Sequence, residues 1–392
     1  MSISTLRAAA ALLLGLLGAL TLAGSAVPYG PTATKGVGAL LLVVAAPELF
    51  SGRVANKPLA LLGLGVGAFA ILNVASLAWT VDAAATSVRA RHVVMEALCV
   101  AAVAAVWRAR SSEALGLGGA LAAGVLAMGF LWELMAPEGA RLRPFGVHPN
   151  LAARDAVLGA LLGTLLIPRM PTWGAMLIGG VGGLALGVSF SSGAMLAAIA
   201  ACAVLVLDPR WRPVAASLLA GTLLGGALLT VSAPPKLRTP ATAVRGSAVE
   251  EIGSGRLVLW GHALRVAAAH PVLGAGAGAF PAAMEPIRVE HQLAGGEHTK
   301  PRRRAHSSFL EVLAETGPLG LLLFVLPLGW AGRRAWVHRD AVSGALVAFV
   351  AVSASTDSLL QQRSLWLGIA VAVLSAGAAR PASGSRSPRP TT

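Results

Sequence analysis

Residues 302–323 read Arg302-Arg303-Arg304-Ala305-His306-Ser307-Ser308-Phe309-Leu310-Glu311-Val312-Leu313-Ala314-Glu315-Thr316-Gly317-Pro318-Leu319-Gly320-Leu321-Leu322-Leu323. Within them the chain leaves a run of arginines and enters an apolar segment that continues to Ala331. Similar apolar runs recur along the sequence, with charges mostly between them. Runs of about 20 such residues are the mark of transmembrane helices. Of 392 residues, 56% are hydrophobic and 12% charged, and the mean hydropathy is +0.73. Soluble chains carry roughly 25% charged residues. A lipid-facing backbone must satisfy its own hydrogen bonds, as a helix or a closed barrel. Long runs rich in Ala and Leu select the helix. The expected fold class is an all-α polytopic membrane protein.

Working outward, about 12 spans fit: 8–24, 36–50, 59–79, 93–108, 114–136, 151–167, 173–188, 193–207, 214–231, 308–331, 343–356 and 364–379. This gives nine spans within 1–231, a long loop at 232–307 carrying an amphipathic helix, three spans within 308–380, and a tail at 381–392. Ser, Pro and Arg in that tail predict a disordered cytoplasmic end. The first run also has signal-peptide features, with Arg7 ahead of it and Leu22-Ala23-Gly24-Ser25-Ala26 behind it. Keeping it as a span gives the better charge balance. With both termini inside, the short inner loops hold about twice the Lys and Arg of the short outer ones. The outer ones hold Lys35, Arg89, Arg91, Arg141, Arg143, Arg154 and Arg363. The expected location is a bacterial inner membrane, multi-pass, with loop 232–307 extracytoplasmic. The net charge of +14 follows from these loops and implies no nucleic acid. Cys99 and Cys202 fall in different apolar runs and read as buried free thiols. Glu96, Glu133 and Asp155 fall about a turn from an outer end, where a side chain can reach the interface.

In the loop, Leu257, Trp260, Leu264 and Ala268 recur at 3–4 spacing, so residues 255–269 read as a helix lying on the outer membrane surface. Arg256, His262 and Arg265 point elsewhere, and Pro271 ends the helix at His270. Gly274-Ala275-Gly276-Ala277-Gly278 superficially resembles a nucleotide loop. No strand precedes it and no Lys-Ser/Thr follows, so it reads as a tight, close-packed turn. Ser308 and Glu311 form a capping box, which starts a helix at Ser308 and engages Glu311 there. His306, beside that helix N-terminus and Arg302–Arg304, sits where an anion such as phosphate is favoured. The same positive field favours a neutral ring able to take a proton. Two readings stand at this point. The arginines, Arg256 included, hold lipid headgroups, or they form a site. Gly317-Pro318 kinks the helix and opens space. Glu315 either neutralises an arginine or assists proton transfer.

In these residues the sequence resembles the O-antigen ligase and polymerase family of bacterial membrane glycosyltransferases. The matching pieces are Arg256-x-x-x-Trp260, His270-Pro271-x-x-Gly274-x-Gly276 with Phe280, and His306-x-x-x-Leu310-x-x-x-x-Glu315-x-Gly317-x-x-Gly320. Phe145-Gly146-Val147-His148-Pro149-Asn150-Leu151-Ala152 also resembles the family's Pro-Asn segment. Two points depart from the pattern. Ser307 stands where the family has Asn, and Ser191-Ser192-Gly193 lacks the arginine usual there, for which Arg154 is the available substitute.

The resemblance implies transfer of a glycan from an undecaprenyl-pyrophosphate donor to a hydroxyl on a glycan, lipid or protein acceptor, in cell-envelope polysaccharide (lipopolysaccharide-type) synthesis. No cofactor and no metal are implied. His306 would be catalytic. Arg256, Arg302, Arg303, Arg304 and Arg154 would bind pyrophosphate, with Trp260, His270 and Glu315 supporting. Membrane lipids are the other expected partners. The competing readings are a transporter or flippase for a lipid-linked anion and an inactive relative that serves envelope assembly.

Overall fold

The computed structural model describes residues 3–23, 30–50, 62–107, 109–135, 142–232, 256–294 and 303–377. Arg302, the 381–392 tail and the first part of the long loop lie outside them. Among the described residues every regular element is helical. In chain order the α-helices are α1 (Ile3–Ala23), α2 (Gly30–Phe50), α3 (Ala68–Ala75), α4 (Ala83–Val106), α5 (Ala109–Met135), α6 (Pro149–Gly163), α7 (Thr172–Ser189), α8 (Ser192–Leu205) and α9 (Arg212–Ser232). They continue with α10 (Arg256–Ala269), α11 (Phe280–Leu293), α12 (Ser308–His338), α13 (Ala341–Thr356) and α14 (Arg363–Gly377).

Helices stand at all twelve expected positions, and α10 and α11 occupy the long loop. Four described helices are long and apolar enough to cross a membrane by length and composition: Ser111–Met135, Thr172–Ser189, Arg212–Ser232 and Ser308–His338. Shorter apolar helices occupy six other positions, among them Ser192–Leu205 and Ala341–Thr356. The two left over, α4 and α6, carry Arg89, Glu96, Arg154 and Asp155, all buried.

The bundle is held by backbone proximity as well as side-chain volume. Gly183 and Gly187 of α7 and Gly221 and Gly225 of α9 face one another so closely that an added Cβ would overlap backbone of the other helix. Small residues at such crossings replace the hydrophobic driving force that lipid cannot supply. Gly15 of α1 and Gly118 of α5 meet in the same way, so α1 packs into the bundle. One large apolar core runs through Leu14, Leu126, Leu162, Phe324, Phe349 and Trp366.

Helix starts follow local chemistry. Asp82 caps α4 by accepting from Ala85 N at 3.0 Å. Pro149 opens α6, where its missing N–H and fixed φ cost nothing. The Asp82 cap begins α4 ten residues before the expected 93, which corrects two expectations. Arg89 and Arg91 lie on the helix rather than in a loop, and Glu96 sits in its interior. Glu96 accepts from Arg363 Nε at 3.0 Å, and Asp155 is 3% exposed. Both are enclosed by protein instead of reaching an interface.

The long loop has a small core of its own. Leu259, Ala263, Val266, Ala275, Phe280, Met284, Ala305 and Ala314 cluster beneath α10 and α11 against the head of α12. The face of α10 that packs is therefore 259/262/263/266. His262 is buried in it, contrary to its expected outward direction. Leu257 and Leu264 of the expected apolar face are exposed, and Trp260 is half-buried.

Candidate active site

The break in α12 organises the site. Pro318 has no N–H to give the carbonyl of Ala314, and Gly317 adopts φ 68°, ψ −171°, a conformation open essentially to glycine alone. The orphaned carbonyls find donors in the glycine turn. Ala275 N bonds Ala314 O and Gly276 N bonds Glu315 O, both at 2.9 Å. Gly274, Gly276 and Gly278 all have positive φ. A side chain on Gly276 would overlap Thr80, and one on Gly274 would overlap the Glu315 backbone. The other side of the turn is held by Val81 N on Ala275 O and by Trp79 Nε1 on Leu273 O. The turn is thus a close-packed splice between the 76–82 segment and α12.

One turn N-terminal to the break, charges converge. Arg89 of α4 donates from Nη2 to Glu311 Oε1 at 2.7 Å, with both side chains at most 2% exposed. Its Nη1 stands 3.5 Å from Glu315 Oε2. Arg304 Nη1 lies 3.6 Å from the same Glu311 oxygen, and its Nη2 donates to Gln361 Oε1. Two guanidinium groups face two carboxyl groups, so their formal charges balance. The capping role expected of Glu311 is corrected here. Ser307 is the N-cap, accepting from Leu310 N at 3.4 Å, and Glu311 is held by arginines.

Beside this lies a second array. His306, at φ 51°, turns the chain so that Ala305 is buried and the imidazole is 39% exposed. Its Nδ1 is 3.3 Å from Asp357 Oδ1. Arg154 of α6 donates to Asp357 Oδ2 from both Nη atoms at 3.3 Å. Burial pushes the Asp357 carboxyl up. The hydrogen bond from His306, the charge of Arg154 and the Ser358 N–H outweigh it and hold the group well below the usual carboxylate range. Ser308 clamps this loop to α12. Its N–H and Oγ both donate to Asp357 O, at 3.0 and 2.8 Å, and its Oγ accepts from Leu359 N. Two of the N–H groups at the helix start are therefore taken by the chain itself, which weakens the expected anion pocket of free amides.

The expected site residues separate into groups. His306, Arg154, Arg304 and Glu315 come together. Arg304 is already paired. Arg154 is buried and bound to Asp357, so it touches the site through that carboxylate, and it lies by the start of α8, where Gly193 faces it. Arg303 and Arg256 make no ion pair with any described residue. Trp260 and His270 belong to the loop helix and its end, and His270 O accepts from Gly274 N at 3.1 Å. Asp357, Arg89, Gln361 and the engaged state of Glu311 were missed. A cleft of about 870 Å³ adjoins the arrays, lined by Asp82, Arg89, Glu285, Arg304, Glu311 and Gln361 among others.

The ends that meet are the starts of α4, α6, α12 and α14 and the end of α13. In an alternating bundle those ends share one side. Residues 174–325 match the family model described as O-Antigen ligase. No curated protein matches the chain. The matched residues include Arg304, His306, Glu311 and Glu315. Arg89, Arg154 and Asp357 lie outside them.

Proposed function

We propose that this membrane protein, whose residues 174–325 match the family model described as O-Antigen ligase, transfers a glycan from undecaprenyl pyrophosphate to an acceptor hydroxyl at the outer face of a bacterial inner membrane. The observation that carries this reading is the His306–Asp357–Arg154 array, half-open at the imidazole and fixed behind it. Asp357, kept anionic by Arg154, accepts a hydrogen bond from His306 Nδ1–H and so leaves Nε2 as the free base. The acceptor oxygen forms a bond to the anomeric carbon as its proton passes to Nε2. The bond from that carbon to the diphosphate breaks, and the diphosphate leaves on its lipid. Arg303 and Arg256, unpaired among the described residues, meet the developing negative charge, assisted by Arg304. Arg154 acts through Asp357, as a positioning residue.

The experiment is transfer by purified protein supplied with lipid-linked donor and acceptor. Wild type yields covalent product, and His306→Ala inserts normally but yields none. Wild-type activity in His306→Ala would end this scheme. Donor translocation without product would favour a flippase.

A further inference from the structure

Arg304, His306 and Ser308 are alternate residues of the segment that enters α12, and all three reach the 357–361 turn between α13 and α14. Arg304 Nη2 donates to Gln361 Oε1. His306 Nδ1 stands 3.3 Å from Asp357 Oδ1. Ser308 donates to Asp357 O from its N at 3.0 Å and from its Oγ at 2.8 Å, and the same Oγ accepts from Leu359 N at 2.9 Å. The three contacts differ in their access to water. The Arg304 side chain is 35% exposed and that of His306 39%, whereas Ser308 is fully buried and Leu359 nearly so. Polar contacts open to water are screened and exchange with solvent. A buried hydroxyl that donates and accepts at once has no such competitor, and its loss would strand the Leu359 N–H away from water. The turn therefore takes its position from Ser308. It carries two groups on it: Asp357 behind His306, and Gln361 behind Arg304. An amide oxygen orients a guanidinium without cancelling its charge. A shift of the turn would misplace both groups together, and a misplacement of about 1 Å is costly to rate.

We propose that Ser308 is a positioning residue for the transfer reaction: through the 357–361 turn its hydroxyl sets Asp357 behind the base and Gln361 behind Arg304 at the same time. It rests on the glycan-transfer reading, and it deepens it by making proton acceptance and diphosphate binding depend on one buried group that lies out of reach of either substrate.

Full-length protein in detergent is assayed with lipid-linked donor and acceptor. Ser308→Ala lowers kcat by about tenfold and raises donor KM by about threefold or more, the scale of a lost hydrogen bond. A general loosening of the fold would also lower activity, so double variants carry the test. Because the hydroxyl works through Asp357, adding Ser308→Ala to Asp357→Asn lowers kcat by less than about threefold further. Because it works through Gln361, adding Ser308→Ala to Gln361→Ala leaves donor KM where Gln361→Ala alone has put it. Full multiplication of the single effects in either double variant overturns the proposal, as does a Ser308→Ala protein with wild-type kcat and donor KM. Should Ser308→Ala fail to fold, Ser308→Cys takes its place in the same cycles, being close in size with a thiol that bonds only weakly. Absence of product from the wild type would end the transfer reading and this proposal with it. Product from the wild type that Ser308→Ala leaves unaltered would end this proposal alone.

Discussion

Two arginine–carboxylate networks flank the head of α12, one sealed and one open. In the sealed one, Arg89, Glu311 and Glu315 are at most 2% exposed. In the open one, His306 is 39% and Asp357 25% exposed. Both balance their charges, so charge count does not distinguish them; access to solvent and substrate does. A sealed pair is poor evidence of net stabilisation, yet removing one partner strands a charge in low dielectric. The open array can lose its imidazole with little effect on folding, because water takes its place, whereas Arg154 behind it is buried. The sealed network therefore holds α4 to α12, and the open one is free to do chemistry.

Four outcomes would break or sharpen this contrast. The largest belongs to the open array. His306→Ala should lower transfer by about 10²–10⁴-fold, the usual worth of a general base, with an unchanged melting temperature in detergent. Next, Arg89→Ala should destabilise the fold by about 3–5 kcal/mol, the cost of breaking a buried pair, read by thermal unfolding or expression yield. If the two variants exchanged phenotypes, the division into sealed and open would be wrong. Asp357→Asn should be milder than loss of the imidazole. It should lower kcat by about ten- to a hundredfold with KM little changed, because the half-exposed ring can turn without its anchor.

The smallest effect is on pH. His262 is buried in the loop core, and burial, then His291, Arg265 and Arg288, depress its basicity. The folded state favours the neutral ring. Stability is complete above the ordinary histidine value of about 6.5 and falls as pH drops below it, because only the unfolded chain then takes the proton. Asp357 is also depressed, so its contribution is lost only below about pH 4. Melting curves between pH 7.5 and 5.5 should thus decline, and His262→Gln should flatten them. A slope unaltered in His262→Gln would assign it elsewhere.

Much of the frame could be read in advance. Apolar runs put helices at their positions, Gly317-Pro318 announced the break, and the absence of a strand or a Lys-Ser/Thr pair made the glycine run a turn. The second loop helix, α11, was missed, since Pro286 interrupts its pattern and Glu285, Arg288, Glu290 and Gln292 thin out its apolar residues. Signals for the missing site residues did exist. Arg89 and Arg91 oppose the charge bias, as Arg302–Arg304 do. Asp357 is also one of only 17 acidic residues, placed at a helix end.

Composition and periodicity were enough to specify a helical membrane protein with a basic, histidine-bearing entrance to its tenth apolar run, because burial of apolar surface and satisfaction of backbone hydrogen bonds are local demands. Which carboxylate answers which arginine was settled by folding alone. Arg89 and Glu311 are 222 residues apart, and Arg154 and Asp357 are 203 apart. The strength of an ion pair depends on a few ångströms of distance and on what shields it from water, and linear spacing carries neither.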